Sequence, residues 1–171
     1  MLNKIRSRKK RRMMYIFIII VLALISIGFY FSYAYTQAQN LISIEGYIHM
    51  NIEKFVTVNA LTAIQLKSDC YELSFYITPD QAYAISEGVP NATKFRPMTH
   101  DIYVDTLEGF DIKPIIVKIT KLSNNVYYSE LVLQRLNRFL IIDTRPSDAL
   151  AIAVRTNTPI YVNKNLTTKV C

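Results

Sequence analysis

The stretch IIDTRPSDALAIAVR, residues 141–155, decides how the chain reads. A β-branched run gives way at Arg145-Pro146-Ser147-Asp148 to an alanine-rich helical pattern, with Pro146 at the first helical position, where its missing N–H is no loss. The same grammar occurs once before. ITPDQAYAI (77–85) aligns with TRPSDALAI (144–152) at an offset of 67, pairing Pro79 with Pro146, Ala82 with Ala149, Ala84 with Ala151 and Ile85 with Ile152. Each copy follows strand-like segments. The repeat predicts an internally duplicated β-rich unit ending in a Pro-started helix. It gives an α+β domain with short helices packed on a largely antiparallel sheet.

The two copies differ at the helix cap. Thr78 stands before Pro79 with Gln81 three residues on, a Thr-x-x-Gln capping box. The second copy puts Arg145 at the cap, which cannot accept the orphan backbone N–H bonds. Asp148 at the third helical position still favours the helix dipole. A replaced cap costs roughly 1 kcal/mol locally, and such rule-breaks are where function is often found. An arginine beside a helix N-terminus also suits a phosphate.

Outward from this stretch, strands are expected at 42–50, 55–66, 70–77, 112–121, 126–134, 138–143 and 159–162. Helices are expected over TPDQAYAISEG, closed by Gly88, and over 99–109, and Asn124-Asn125 reads as a hairpin turn. VPNATKFRPM between the two helices reads as a loop.

The chain has 171 residues and a formal net charge of +7. Seven bases fall in the first 12 residues, and removing them from the total of 20 leaves 13, equal to the 13 acids. The rest is formally neutral, which argues against tight non-specific binding to a polyphosphate backbone. The basic tail precedes MMYIFIIIVLALISIGFYF, Met13–Phe31, 19 residues without a charge, near the ~20 needed to span a bilayer. The expected order is a basic cytoplasmic tail (1–12), a transmembrane anchor (13–35), a polar link (36–41) and a domain (42–171) outside the cytoplasm, by the positive-inside rule. Cleavage after Ala38 is the alternative. Cys70 and Cys171 read equally as a disulfide or as two free thiols. Asn91-Ala92-Thr93 and Asn165-Leu166-Thr167 are glycosylation sequons.

A second Arg-Pro pair lies in FRPMTHDIYVD (95–105). Thr99 reads as the helix cap, and His100 and Asp101 fall in the first turn. His100 suits a general acid/base or metal ligand with Asp101 beside it. The pattern alone favours the plainer reading, in which His100 packs with Tyr103, Val104 and Leu107 while Asp101, Asp105 and Glu108 form a solvated face. Asp143, Arg145, Ser147 and Asp148 cluster at the strand-to-helix junction. Asp143 and Asp148 offer hard oxygens to a divalent ion such as Mg²⁺ or Mn²⁺, or else serve as ion-pair and dipole partners. No P-loop, paired CxxC, HExxH, GxGxxG or G-x-S-x-G elbow is present, which removes those enzyme classes.

RPMTHD together with DTRPSDALAIAVRTNTPIYV closely resembles the bifunctional nuclease family, whose domain carries R-P-(L/M)-T-H-D and, later, D-x-R-P-S-D-A-(I/L)-A-x-A-x-R followed by P-I-Y-V. The likeness covers about residues 42–165. It implies a compact, self-associating α+β domain that degrades DNA and RNA, with a dimer the simplest assembly. It directs attention to Arg96, Thr99, His100, Asp101, Asp143, Arg145, Ser147, Asp148 and Arg155. On this reading Arg96, Arg145, Ser147 and Arg155 bind substrate phosphate, His100 is the acid/base, and Asp101, Asp143 and Asp148 complete the catalytic set. The chain departs from the pattern at Gln81, where the family usually has glutamate, in its anchor, and in lacking the C-terminal UVR-type domain of plant members. The competing reading is a non-enzymatic envelope-side module that uses the same cluster for folding or oligomerisation.

Overall fold

The computed structural model describes the backbone of residues 2–58, 61–89 and 96–171, with side chains for these except 2–11, 34, 35, 37–41 and 58. It divides into two units, Met1–Leu41 and Ile42–Cys171. The first is one helix, α1 (Leu2–Leu41), so the polar link at 36–41 is helical. Within it Arg12–Tyr33 is long and apolar enough to cross a membrane, 22 residues at a mean hydropathy of 2.6.

The second unit is α+β. Three strands, β1 (Tyr47–Val58), β2 (Leu61–Lys67) and β3 (Tyr71–Ile77), lead into helix α2 (Pro79–Ser86). After α3 (Thr99–Gly109), the strands β4 (Lys113–Ser123), β5 (Val126–Arg135) and β6 (Arg138–Thr144) lead into α4 (Pro146–Thr156). Strands β7 (Ile160–Asn163) and β8 (Thr168–Lys169) complete one eight-stranded sheet in the order β6-β5-β4-β7-β1-β2-β3-β8. The duplication is plain: two antiparallel three-strand meanders, each followed by a Pro-started helix, flank β7. That strand runs antiparallel to β1 and parallel to β4, the one parallel pair among the described strands.

Helix α4 is the centre of the helical layer. Five consecutive residues, Ala149–Ala153, are buried, so it is enclosed all round rather than along one stripe. Met50, Ile64, Leu66, Val117, Ile119, Leu131 and Val162 of the sheet are also fully buried. Helices α2 and α3 both pack on α4, and its alanines allow that close approach. The Thr78 capping box forms: the Gln81 N–H donates to Thr78 Oγ1 at 3.4 Å, and the Thr78 N–H to Gln81 Oε1 at 2.9 Å. Asn124 and Asn125 both have positive φ, 50° and 60°, as a type I′ hairpin turn requires.

Several boundaries differ from the sequence-based expectation. The polar run Asn51–Lys54 does not separate two strands. β1 passes through it with a shift in register between Ile52 and Lys54, a bulge that absorbs the break in alternation. β1 ends at Val58 and β2 begins at Leu61, both inside the stretch expected as a single strand at 55–66. Residues 42–46 precede β1 rather than belonging to it. Gly88 has no positive φ and follows the helix end at Glu87. Its smallness serves close packing, because a Cβ there would lie 2.5 Å from Val154 Cγ2 and 2.6 Å from Arg155 Nη1. The sequon at Asn91 lies outside the described residues.

Cys70 and Cys171 form a disulfide, with Cα atoms 5.1 Å apart across 101 residues of sequence. It pins the C-terminus to the β3 edge, where β8 adds only two residues of pairing and the Val170 N–H donates to the Cys70 carbonyl at 2.9 Å. Replacing both cysteines by serine is expected to lower unfolding free energy by about 2–5 kcal/mol. Urea denaturation of oxidised, reduced and substituted protein measures this, and overlapping curves would remove the disulfide as a stabilising element.

Candidate active site

The starts of α2 and α4 face one small hollow of about 200 Å³, lined by Asp80 and Gln81 from the first and Arg145, Ser147 and Asp148 from the second, with Ala84 and His100. Because 80 and 81 correspond to 147 and 148 in the repeat, the two halves present equivalent first-turn positions to one space. Two helix N-termini bordering one hollow favour an anion there.

Asp148 is the hub. Arg145 Nε donates to its Oδ2 at 2.6 Å and Nη2 to its Oδ1 at 3.0 Å, a bidentate pair within one helical turn. His100 Nε2 lies 3.4 Å from Oδ1, bridging the two motifs across 48 residues of sequence. Against an ionised carboxylate Nε2–H is the donor, and the other ring nitrogen is Nδ1. That atom is buried and has no hydrogen-bond partner among the described residues. Burial pushes the Asp148 carboxyl up, but the hydrogen bonds and charges of Arg145 and His100 outweigh burial and hold it below its ordinary value. The Arg145 guanidinium is raised in turn, chiefly by its hydrogen bond to Asp148. The Arg145 side chain is 69 % exposed, so the pair adds little to stability and remains free to exchange partners.

Asp101 and Arg155 occupy a different place. Arg155 Nε donates to Asp101 Oδ1 at 2.7 Å, with the side chains only 4 % and 11 % exposed. Arg155 Nη1 also donates to the carbonyls of Ala84 on α2 (2.8 Å) and Ala151 on α4 (2.7 Å). Asp101 Oδ2 accepts the Met98 N–H at 2.7 Å. The cap residue of α3 is therefore Met98, and Thr99 is the first helical residue. Asp101 is drawn off the solvated helix face, where Asp105 and Glu108 do lie. One buried ion pair thus ties three helices together and sets His100, the neighbour of Asp101, against Asp148.

Asp143 stands opposite Glu130 on β5, and Glu130 opposite Lys118 on β4. Cross-strand partners share a face. The side chain of Asp143 thus belongs to the face opposite that of Ser129, Ile119 and the core. Both Asp143 and Asp148 still border a second hollow. Among the described residues no group of three His, Cys, Asp or Glu side chains is placed to hold a metal ion, so the donor set does not make an all-protein cage. Mg²⁺ commonly takes one or two carboxylates and completes its shell with substrate phosphate and water; Asp148 meets that lesser requirement. Ser147 is buried at the hollow, and Arg96 is exposed and outside its lining. Larger hollows of about 560 and 540 Å³ lie by Arg155 and Asn157, and neither His100 nor Asp148 borders them.

A model of the bifunctional nuclease domain matches residues 64–170, which include both motifs and every residue of the Asp148 cluster. The chain belongs to the bifunctional nuclease domain family. It is 32 % identical over 92 residues to an uncharacterized protein of Mycobacterium tuberculosis, covering 54 % of each chain. It is 32 % and 34 % identical over 82 residues to Bifunctional nuclease 1 and Bifunctional nuclease 2 of Arabidopsis thaliana, covering 46 % of this chain and 25 % of theirs. The chain thus spans about half the length of the mycobacterial relative and a quarter of the plant proteins. Asp80 and Gln81 were not among the site residues expected from the sequence. The repeat carried the signal that would have found them, since they align with Ser147 and Asp148.

Proposed function

We propose that this chain is a membrane-anchored phosphodiesterase acting on DNA, RNA or both. The observation that carries the reading is the meeting of His100 and Arg145 on Asp148 at paired helix N-termini, in a family whose plant relatives are named bifunctional nucleases. Arg145 swings from Asp148 to the substrate phosphate, which the helix starts also favour. Its departure removes the guanidinium that depresses Asp148, so proton affinity of the carboxylate rises as substrate binds. Asp148 then accepts the proton of the attacking water as the water oxygen bonds phosphorus and the P–O ester bond breaks; the leaving oxygen is protonated from solvent. His100 handles protons through Asp148, holding Oδ1 by its Nε2–H, because Nδ1 is closed off. A divalent ion, Mg²⁺ or Mn²⁺, would be held by Asp148 and Asp143 and would supply neutralisation of the negative charge on the phosphate. We assign Asp101 and Arg155 to holding the helices and leave Arg96 outside the machinery.

Seven bases on one flank of the apolar span support a cytoplasmic N-terminus, and a disulfide in the domain suits an oxidising compartment outside it. Self-association, most simply a dimer, is part of the same proposal. The test is cleavage of labelled DNA and RNA by the full chain in detergent, with and without EDTA and with Asp148→Asn as control. Cleavage that disappears in the variant supports the reading, and EDTA sensitivity supports the ion. Absence of cleavage, with Asp148→Asn instead unfolding the domain, would favour a structural envelope module.

A further inference from the structure

The Arg145–Asp148 pair borders two hollows. On the side away from Gln81 lies the second, of about 390 Å³, bordered by Tyr127, Tyr128, Thr144, Asp143 and the same Arg145 and Asp148. Ser129 is the register partner of Thr144, so Tyr127, two residues earlier on the same face, sits beside the Arg145-Pro146 helix start. Its ring is half-buried and braced by Phe75, with centroids 5.1 Å apart. Tyr128 is taken, its ring lying under Lys121 Nζ at 4.7 Å. Tyr127 is thus a fixed aromatic surface beside the residue assigned to the phosphate.

Charge points the same way. Tight binding by the nucleic-acid backbone alone needs several Lys or Arg contacts, and the chain beyond the basic tail is formally neutral. Among the described residues lining the two hollows, Arg145 is the single Lys or Arg. Affinity for a polynucleotide must come from elsewhere, and base–aromatic stacking is the sequence-tolerant source. A base in a duplex must first be unpaired and turned out, whereas a single-stranded base is free to enter.

We propose that the Tyr127 hollow is a nucleobase subsite, where the base next to the phosphate held by Arg145 stacks on Tyr127, making single-stranded nucleic acid the preferred substrate. The proposal rests on the phosphodiesterase reading for the place of the phosphate. Its test reads binding separately from cleavage. Fluorescence anisotropy of a labelled single-stranded hexanucleotide is measured with the full chain carrying Asp148→Asn, so that the probe survives. Tyr127→Leu keeps the apolar contact with Phe75 and is expected to raise Kd about 5- to 150-fold, while Tyr127→Phe binds as the parent does. An abasic hexanucleotide, needing no further substitution, is expected to bind the parent as weakly as the normal strand binds Tyr127→Leu, and a duplex more weakly than the single strand. Equal binding of abasic, duplex and normal strands, or a Kd indifferent to Tyr127→Leu, overturns the subsite. Tyr127-dependent binding without cleavage by the unsubstituted chain leaves the subsite standing and removes the nuclease reading instead.

Discussion

Asp148→Asn is expected to lower phosphodiester hydrolysis by about 10²–10⁴-fold, the range for loss of a positioned proton acceptor, in a protein that stays folded. The exchange is isosteric, and the new amide oxygen still accepts the His100 Nε2–H. What disappears is the charge that pairs with Arg145 and the lone pair that takes a proton. His100→Ala, which leaves the carboxylate but removes its support 3.4 Å away, should show a smaller loss. pH adds a second check. Because the folded carboxyl lies below its ordinary value, Asp148 stays ionised throughout the neutral range. The acid limb of kcat/KM for the unsubstituted protein should therefore lie below the ordinary carboxylate range. The linkage has the same sign: Asp148 contributes stability above the unfolded carboxyl value and loses it as pH falls through the folded one. Initial rates against pH, with circular dichroism to follow folding, measure both, and an Asp148→Asn rate equal to the parent's would take Asp148 out of the chemistry.

Arg155→Leu is expected to cost about 3–5 kcal/mol of stability, as removal of one member of a buried ion pair does. The loss has two parts. Asp101, only 11 % exposed, gives up its counter-charge, and the carbonyls of Ala84 and Ala151 lose a charged donor inside the helical layer. Set against the ~5–15 kcal/mol of a typical domain, that is a large fraction of the whole. Gly88→Ala reaches the same junction from outside. The added methyl meets Val154 and the Arg155 guanidinium, and overpacking of this kind costs about 1–3 kcal/mol. Urea denaturation gives both numbers, and an Arg155→Leu midpoint near the parent's would show that the pair is not a brace.

These two variants separate what neighbouring motif residues do. Asp148 and Arg155 lie in one motif on one helix, seven residues apart, and each has its partner in RPMTHD. The pattern by itself assigned both arginines of this motif to phosphate. Exposure divides them: Arg145 is solvent-facing and can change partner, whereas Arg155 is committed on three sides. Likewise Asp101 read as part of a solvated face because helical spacing aligned it with Asp105 and Glu108. Periodicity does not say that a buried guanidinium from another helix will claim one member of such a row.

What the chain determined locally was legible in it. Pro146 and Pro79 start their helices, Thr78 and Gln81 close a capping box, Asn124-Asn125 turns a hairpin, and the offset of 67 exposes the duplicated unit. The first three depend on backbone chemistry within a few residues and the fourth on comparing the chain with itself, so the amino-acid order suffices. Tertiary structure alone decided the bulge that carries β1 through Asn51–Lys54, the disulfide between Cys70 and Cys171, the burial of Asp101 against Arg155 and the placing of Tyr127 beside Arg145. All of these depend on which surfaces meet after residues far apart in sequence fold together, and no local pattern encodes a distance across the sheet.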